Sequence, residues 1–341
     1  MVLSKQFPML IHLIILVEGV HALFLPDDFL GESSPRLQTI YLRNVTFPAL
    51  KTLLLSASDL VELQLHRIPL AGYILSPVEM TMILAEFPRL ETLVLQFRFA
   101  LFTSDSIHAP PVTRPVLRLL PALTTFDFMG TSQYLMDFMA HIDCPRLNGI
   151  AISFLSWIED FHLVKLSEFL NRTIYPFRHA KVRVNTHSIT FDLYRPTDRT
   201  GWDSHPATTV ISCLQIDWHL FRVLSNFSAI LSTVVDLKFV GMSLERDSIG
   251  DEHNLEWFHF LHQLPALQAL YVSPLLSEQI GRALKSVKGE VVAEALPSLD
   301  LICLEDQASS IEEFAAVRQL SDCLLTVVST EAEFDQRLSE K

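Results

Sequence analysis

A template of the form apolar-x-x-apolar-x-apolar returns eleven times along the 341 residues, most often just behind a Pro-x-Leu lead-in. Pro8-Met9-Leu10 runs into Leu13 and Ile15, Pro35-Arg36-Leu37 into Ile40 and Leu42, and Pro88-Arg89-Leu90 into Leu93 and Leu95. Pro121-Ala122-Leu123, Pro145-Arg146-Leu147, Pro265-Ala266-Leu267 and Pro297-Ser298-Leu299 follow the same plan, and weaker copies begin at Leu60, His179, Ile211 and Val234. From Leu10 to Leu299 the copies recur about every 29 residues. A chain of this length exceeds what one hydrophobic core usually organises, roughly 250–300 residues, yet no glycine- or serine-rich linker divides it. Stacked units that each touch only their neighbours resolve this, because the core then grows along one axis.

Within each copy the last three template positions alternate, which suits a short strand with side chains directed to opposite faces. The spacing leaves room for a helix. Ser76-Pro77-Val78-Glu79 reads as a capping box with proline at the first helical position, followed by Met80, Ile83, Leu84 and Phe87 at helical spacing. Ser309-Ser310-Ile311-Glu312 repeats that cap, and further helices are expected over Ser132–His141, Val164–Asn171, Trp218–Leu224, Leu255–His262 and Leu275–Leu284. The predicted class is α/β, a leucine-rich-repeat-like solenoid of about eleven irregular repeats, with parallel strands on the concave face and helices outside. The asparagine or cysteine of standard repeats is absent from its usual place, where Val45, Ile68 and Arg98 stand. One solenoid is expected over residues 1–330, with loops at 103–115 and 194–206 and a frayed acidic tail at 331–341.

Charge and cysteines narrow the function classes. The net charge is −13, of which residues 245–341 alone carry −11, a balance that disfavours nucleic acid as a partner. Cys144, Cys213, Cys303 and Cys323 form no Cys-x-x-Cys pair, so neither a structural metal nor a disulfide framework is expected. Reduced thiols place the chain in the cytoplasm or nucleus. Lys5, the apolar run Met9–Val17 and Val20-His21-Ala22 have the order of a secretory signal, but Pro8 and His12 interrupt it and its leucines fall on the repeat template. Three Asn-x-Ser/Thr sequons begin at Asn44, Asn171 and Asn226. No apolar run reaches the ~18 residues of a membrane span, and no membrane partner is expected.

His253, Glu256, His259 and His262 are the densest candidate for metal ligation, at three-residue spacing. Another segment supplies no obvious further ligand, and a polar outer helix face accounts for them. No Gly-x-Ser-x-Gly elbow is present, Cys213 and His219 make only an unspecific nucleophile pair, and the glycine loops that cradle nucleotides are missing. No catalytic residue, cofactor or metal is therefore assigned. The strand positions opposite the leucines remain: Tyr41, Arg43, Glu62, Gln64, His66, Gln96, Asp127, Gln215, Asp217, Lys238 and Tyr271. A mixed surface with Tyr and Arg anchors is the composition of a protein-binding face.

Several phrases carry a family resemblance: Leu25-Pro26-Asp27-Asp28-Phe29-Leu30-Gly31, Ser34-Pro35-Arg36-Leu37-Gln38, Phe47-Pro48-Ala49-Leu50 and Phe87-Pro88-Arg89-Leu90-Glu91-Thr92-Leu93. With Leu120-Pro121-Ala122-Leu123-Thr124 and Ile142-Asp143-Cys144-Pro145-Arg146-Leu147, the chain resembles the F-box/leucine-rich-repeat-like proteins of mushroom-forming basidiomycete fungi. The resemblance implies the substrate-recognition part of a cullin-RING ubiquitin ligase receptor, whose F-box grips a Skp-type adaptor while the repeats hold the target. Here the repeats begin almost at Met1, so adaptor and cullin are expected as partners only with an F-box upstream. The rival readings are an independent scaffold and a hydrolase or metal enzyme hosted on the repeats.

Overall fold

The computed structural model describes residues 7–32, 34–68, 75–98, 116–155, 163–173, 176–185, 187–195, 207–214, 220–241, 252–286, 296–305, 311, 314–316, 318 and 324–340. The Pro-x-Leu lead-in proves to be a turn. The amides of Leu10, Leu37, Leu90, Leu123, Leu147, Leu267 and Leu299 each donate to the carbonyl three residues earlier, with proline at the second turn position, where its fixed φ belongs. Two consecutive amides then enter the next strand on one shared carbonyl. Gln38 and Thr39 donate to Ile11, Val61 and Glu62 to Gln38, Glu91 and Thr92 to Val61, and Thr124 and Thr125 to Glu91. The same fork recurs at Val235 and Asp236 on Arg178, and at Gln268 and Ala269 on Val235.

The chain divides into two compact units, Met1–Ser156 with Glu168–Ile174, and Trp157–Ser167 with Tyr175–Lys341. Unit 1 contains β1 (His12–Leu16), β2 (Leu23–Phe24), β3 (Thr39–Arg43), β4 (Val45–Thr46), β5 (Glu62–Ile68), β6 (Thr92–Phe97), β7 (Arg118–Leu119), β8 (Thr125–Gly130), β9 (Ile142–Asp143) and β10 (Gly149–Phe154). Its principal strands pair in parallel in the order β1-β3-β5-β6-β8-β10, and β2-β4 and β7-β9 form short outer ladders. Helices α1 (Leu50–Ser56), α2 (Pro77–Leu84) and α3 (Ser132–Met139) lie between strands in the sequence, and of α4 (Leu163–Thr173) the part from Glu168 onward belongs to this unit.

The expected capping box is present, with Ser76 Oγ accepting from the Glu79 amide and the Glu79 carboxylate accepting from the Ser76 amide. The second cap, at Ser309, lies outside the described residues, as do the 103–115 loop and all of the 194–206 loop beyond Arg195. Aromatic rings fill the core beside α3: Phe126 stacks on Phe138 at 5.6 Å, and Phe97 meets Tyr134 at 4.8 Å. Asn44, with φ of 57°, sits one position ahead of Val45 and donates its side-chain amide to the carbonyls of Gly19 and His21. It is wholly buried, so this sequon offers no acceptor for a glycan.

Unit 2 contains β11 (His179–Asn185), β12 (Ser188–Tyr194), β13 (Thr209–Leu214), β14 (Asp236–Gly241), β15 (Ala269–Val272), β16 (Leu301–Leu304) and β17 (Thr326–Val328). The helices whose full range is described include α5 (Leu220–Leu231), α6 (Glu252–His262), α7 (Pro274–Ser286) and α8 (Glu331–Ser339). All eleven template copies thus coincide with strands, while β12 and β17 were not anticipated. The expectation of uniformly parallel strands needs correction here. β12 runs antiparallel to both β11 and β13, so β13 reaches the sheet beyond β12 instead of following β11. The cause is local: Ile189, Phe191 and Leu193 alternate with Ser188, Thr190 and Asp192, and the register pairs Asn185 with Ser188 as a hairpin. Phe191 then stacks on Phe227 of α5 at 4.1 Å.

The tail expected to fray is corrected as well. Residues Glu331–Ser339 form a helix capped by Thr330, whose hydroxyl accepts from the Glu333 amide, and Phe334 is completely buried. The apolar anchor, rather than the acidic composition, decides its fate. Among the described residues no helix is long and apolar enough to cross a membrane.

Candidate functional site

The template side chains of β3, β5, β6, β8 and β10, such as Ile40, Leu63, Leu93, Phe126 and Ile150, face the core and leave the intervening side chains on the other face. Register places Tyr41 beside Gln64 and Arg43 beside His66, while Val94 lies between Gln64 and Asp127. Leu65 pairs with Leu95, so the next positions along β5 and β6, His66 and Gln96, lie side by side ahead of the irregularity that sets Ile68 against Phe97. A continuous row results. Gln96 Nε2 donates to Asp127 Oδ2 at 3.1 Å, Gln96 Oε1 meets His66 Nδ1 at 2.8 Å, and Gln64 Oε1 meets His66 Nε2 at 2.9 Å. Gln64 Nε2 donates in turn to Glu62 Oε1.

Tyr41 stacks on the His66 ring at 4.7 Å, and Arg43 at the end of β3 is exposed. Both ring nitrogens of His66 face amide oxygens, and the row has a carboxylate at each end, Glu62 and Asp127. Burial raises the Asp127 carboxyl above its ordinary range, and the Gln96 hydrogen bond and His66 act against that shift. These seven side chains, Tyr41, Arg43, Glu62, Gln64, His66, Gln96 and Asp127, are brought together as one half-exposed face. His66 also borders a cavity of about 30 Å³ lined by Leu42, Val45, Phe47, Leu65 and Ile68. That is space for a single water, against roughly 300–1,000 Å³ for a small-molecule site.

The remaining assigned positions part company with this row. Gln215 and Asp217 lie outside the described residues. Lys238 and Tyr271 occupy the corresponding strand face of unit 2, adjacent in register, but only 1% and 3% of them is exposed. Their expected solvent-facing position is corrected by α8, which covers them. Lys238 Nζ reaches Glu331 Oε1 at 3.0 Å and Asp335 Oδ1 at 2.6 Å, and stands 5.4 Å from the Tyr271 ring and 5.8 Å from that of Phe334. Burial, then Glu331 and Glu305, push the Tyr271 hydroxyl far above its ordinary value. Nothing in the spacing of the strands signals this cover; the one available clue was Phe334 flanked by acids within an otherwise polar tail.

The same face carries a histidine–carboxylate contact and a further ion pair. His179 Nδ1 meets Asp236 at 2.6 Å, and Arg183 grips Asp192 with two nitrogens at 2.9 Å each. The described cysteines are buried and unpaired. Burial pushes the thiols of Cys144 and Cys303 up to about 12 and that of Cys213 higher still, so they stay protonated and are poor nucleophiles. Cys323 and His219 lie outside the described residues. On α6, Glu256 and His262 are exposed, His262 stacks on Phe258, and no group able to hold a metal occurs among the described residues.

Strand, proline turn and helix in regular succession make this an α/β repeat fold of the leucine-rich-repeat-like class. No family model matches the sequence, and no curated protein matches it. Solved structures similar to it include the following two. One is TLR13 in a complex with ssRNA13, at 15% identity over 87% of this chain and 36% of that chain, with a TM-score of 0.34. The other is the leucine-rich repeat-containing protein LegL7 from Legionella pneumophila, at 14% identity over 90% of this chain and 92% of that chain, with a TM-score of 0.30. The chain spans about a third of the length of the TLR13 chain.

Proposed function

We propose that the chain is a non-catalytic protein-interaction solenoid whose partner surface is the strand face of unit 1, and that it serves as the target-binding part of an F-box-type receptor. The observation that carries the reading is the row from Glu62 to Asp127, tied side chain to side chain across three adjacent strands and flanked by Tyr41 and Arg43. Such a row is held in place before any partner arrives, so less side-chain freedom is lost on association. Amide, carboxylate, imidazole and phenol groups together present donors and acceptors suited to a polypeptide. The ligase assignment draws on the family resemblance in the sequence, and a Skp-type adaptor and cullin are partners only if an F-box is present upstream.

Affinity capture from basidiomycete extract with the wild-type chain and a Tyr41→Ala/His66→Ala/Gln96→Ala variant tests both levels. Proteins captured by the wild type and lost with the variant support the binding face. Adaptor and cullin peptides retained by both chains support the receptor assignment, whereas other partners alone assign an independent scaffold. Equal capture of every protein by both chains excludes the face.

A further inference from the structure

Strands β14 to β16 are buried on both faces, by α6 and α7 on one side and α8 on the other. Phe239 packs on Trp257 and Phe260 of α6, and Leu276 of α7 closes against Gly241. On the opposite face Ala269, Tyr271, Leu301, Cys303 and Val328 surround Phe334, with Val240 and Leu338 at the margin. Lys238 sits in this apolar frame. A cation so deeply buried is tolerable only beside its counter-charges, here Glu331 and Asp335, four residues apart on one side of α8. The face beneath α8 is therefore shaped for one kind of guest: a helix with two carboxylates spaced by four and an aromatic ring between them.

The guest itself is weakly secured. It has nine residues, fewer than the roughly 12–15 an isolated helix needs in water. Phe334 is its one fully buried side chain, and both carboxylates that hold Lys238 remain 45% exposed. We propose that the β14–β16 face is a docking site for an acidic amphipathic helix of a partner protein, and that α8 occupies it in cis as a displaceable stand-in. The site belongs to unit 2 and is independent of whatever the unit 1 row binds. Apparent affinity for an outside helix is reduced by the fraction of molecules in which α8 is seated, so the chain holds its own site closed until a better guest competes.

A fluorescein-labelled peptide of residues 329–340 is the probe, titrated into the full-length chain and followed by anisotropy. The Phe334→Ala chain, its anchor removed, is expected to bind it at least about tenfold more tightly than wild type. Adding Lys238→Met to that chain is expected to cost at least about tenfold. On the wild type, native-state hydrogen exchange is expected to show the amides of Phe334–Leu338 exchanging at least about tenfold faster than those of Tyr271 and Cys303. Equal protection of α8 and β15 overturns the proposal, because α8 is then a permanent wall of the core. So does a folded Phe334→Ala chain that ignores the peptide, or one whose binding is indifferent to Lys238. If Phe334→Ala fails to fold, the exchange measurement on the wild type decides alone. A wild-type dimer that exchanges α8 between copies overturns the choice of a partner protein as guest.

Discussion

The strand face turned away from the leucines has opposite fates in the two units. In unit 1 it is open, and its polar side chains satisfy one another in a row from Glu62 to Asp127. In unit 2 the segment after β17 folds back over it, Phe334 reaches zero exposure, and a lysine that would otherwise be a surface residue is 1% exposed. One strand pattern therefore yields either a wet binding row or a second core. The difference lies in whether a later segment carries an apolar anchor and charges that match. A repeat is thus only half an instruction: it places side chains on a face and does not say what lies above them.

The largest expected effects come from the two cores. Phe126→Ala and Phe239→Ala each remove a fully buried ring, at a cost of about 3–5 kcal/mol. All four tryptophans fall within unit 2, so Phe239→Ala should shift the denaturation midpoint seen by tryptophan emission. Phe126→Ala should instead shift the far-ultraviolet circular dichroism first. Coincident shifts by both probes in both variants would break the comparison, since the units would then unfold as one.

Next come two strand-end glycines. A Cβ on Gly130 would lie 2.7 Å from the Phe128 ring and 2.8 Å from the Phe97 ring, so Gly130→Ala should cost about 1–3 kcal/mol in a thermal melt. At Gly241 the obstacle is the side chain of Leu276, at 2.9 Å, which can turn aside. Its alanine variant should cost less, and the reverse order would show that unit 2 is the more rigidly packed.

The helix caps follow, at about 1 kcal/mol for Ser76→Ala. The Ser76 amide, then its hydroxyl, then Lys51 hold the Glu79 carboxyl below its ordinary value of 4.5. That contribution is present above the ordinary value and lost as pH falls through the folded one, so the variant should lose less stability on acidification. Thr330→Ala should cost a similar amount, confined to α8 and visible as faster hydrogen exchange there. A global loss would mean that the cover and the core of unit 2 are one cooperative body.

Smallest are the charge changes. Burial raises the Asp127 carboxyl, so ionising it opposes folding as pH rises above the ordinary 3.8. Asp127→Asn keeps an oxygen for Gln96 and should leave stability at neutral pH equal or higher, with a flatter pH profile. Lys238→Met leaves Glu331 and Asp335 without their cation, an effect confined to α8 and expected as faster hydrogen exchange of Phe334–Leu338. Unchanged exchange there would show that Phe334 alone holds the cover in place.

Much of the fold was legible because its determinants are local. The Pro-x-Leu turn, the alternation of strand leucines and the capping box at Ser76 each act within a few residues, and every template copy coincides with a strand. From the same alternation, Tyr41, Glu62, Gln64, His66, Gln96 and Asp127 could be assigned to one face. Their joining into a row was not legible, because it depends on how the side chains of Gln64, His66 and Gln96 turn toward one another, which alternation alone does not set. The short helix α1 escaped notice because its Phe47-Pro48-Ala49-Leu50 entry copies the turn that elsewhere opens a strand.

By itself the sequence determined where strands begin, which side chains share a face, and that neighbouring units must stack, all consequences of short-range sterics and a period that buries leucine. Only the tertiary structure decided that Asn44 is buried against Gly19 and His21, and that Lys238 and Tyr271 lie beneath α8. Each of those depends on a contact whose two halves are distant in sequence. For Lys238 and Glu331 the separation is 93 residues, and no local pattern announces a partner that far away.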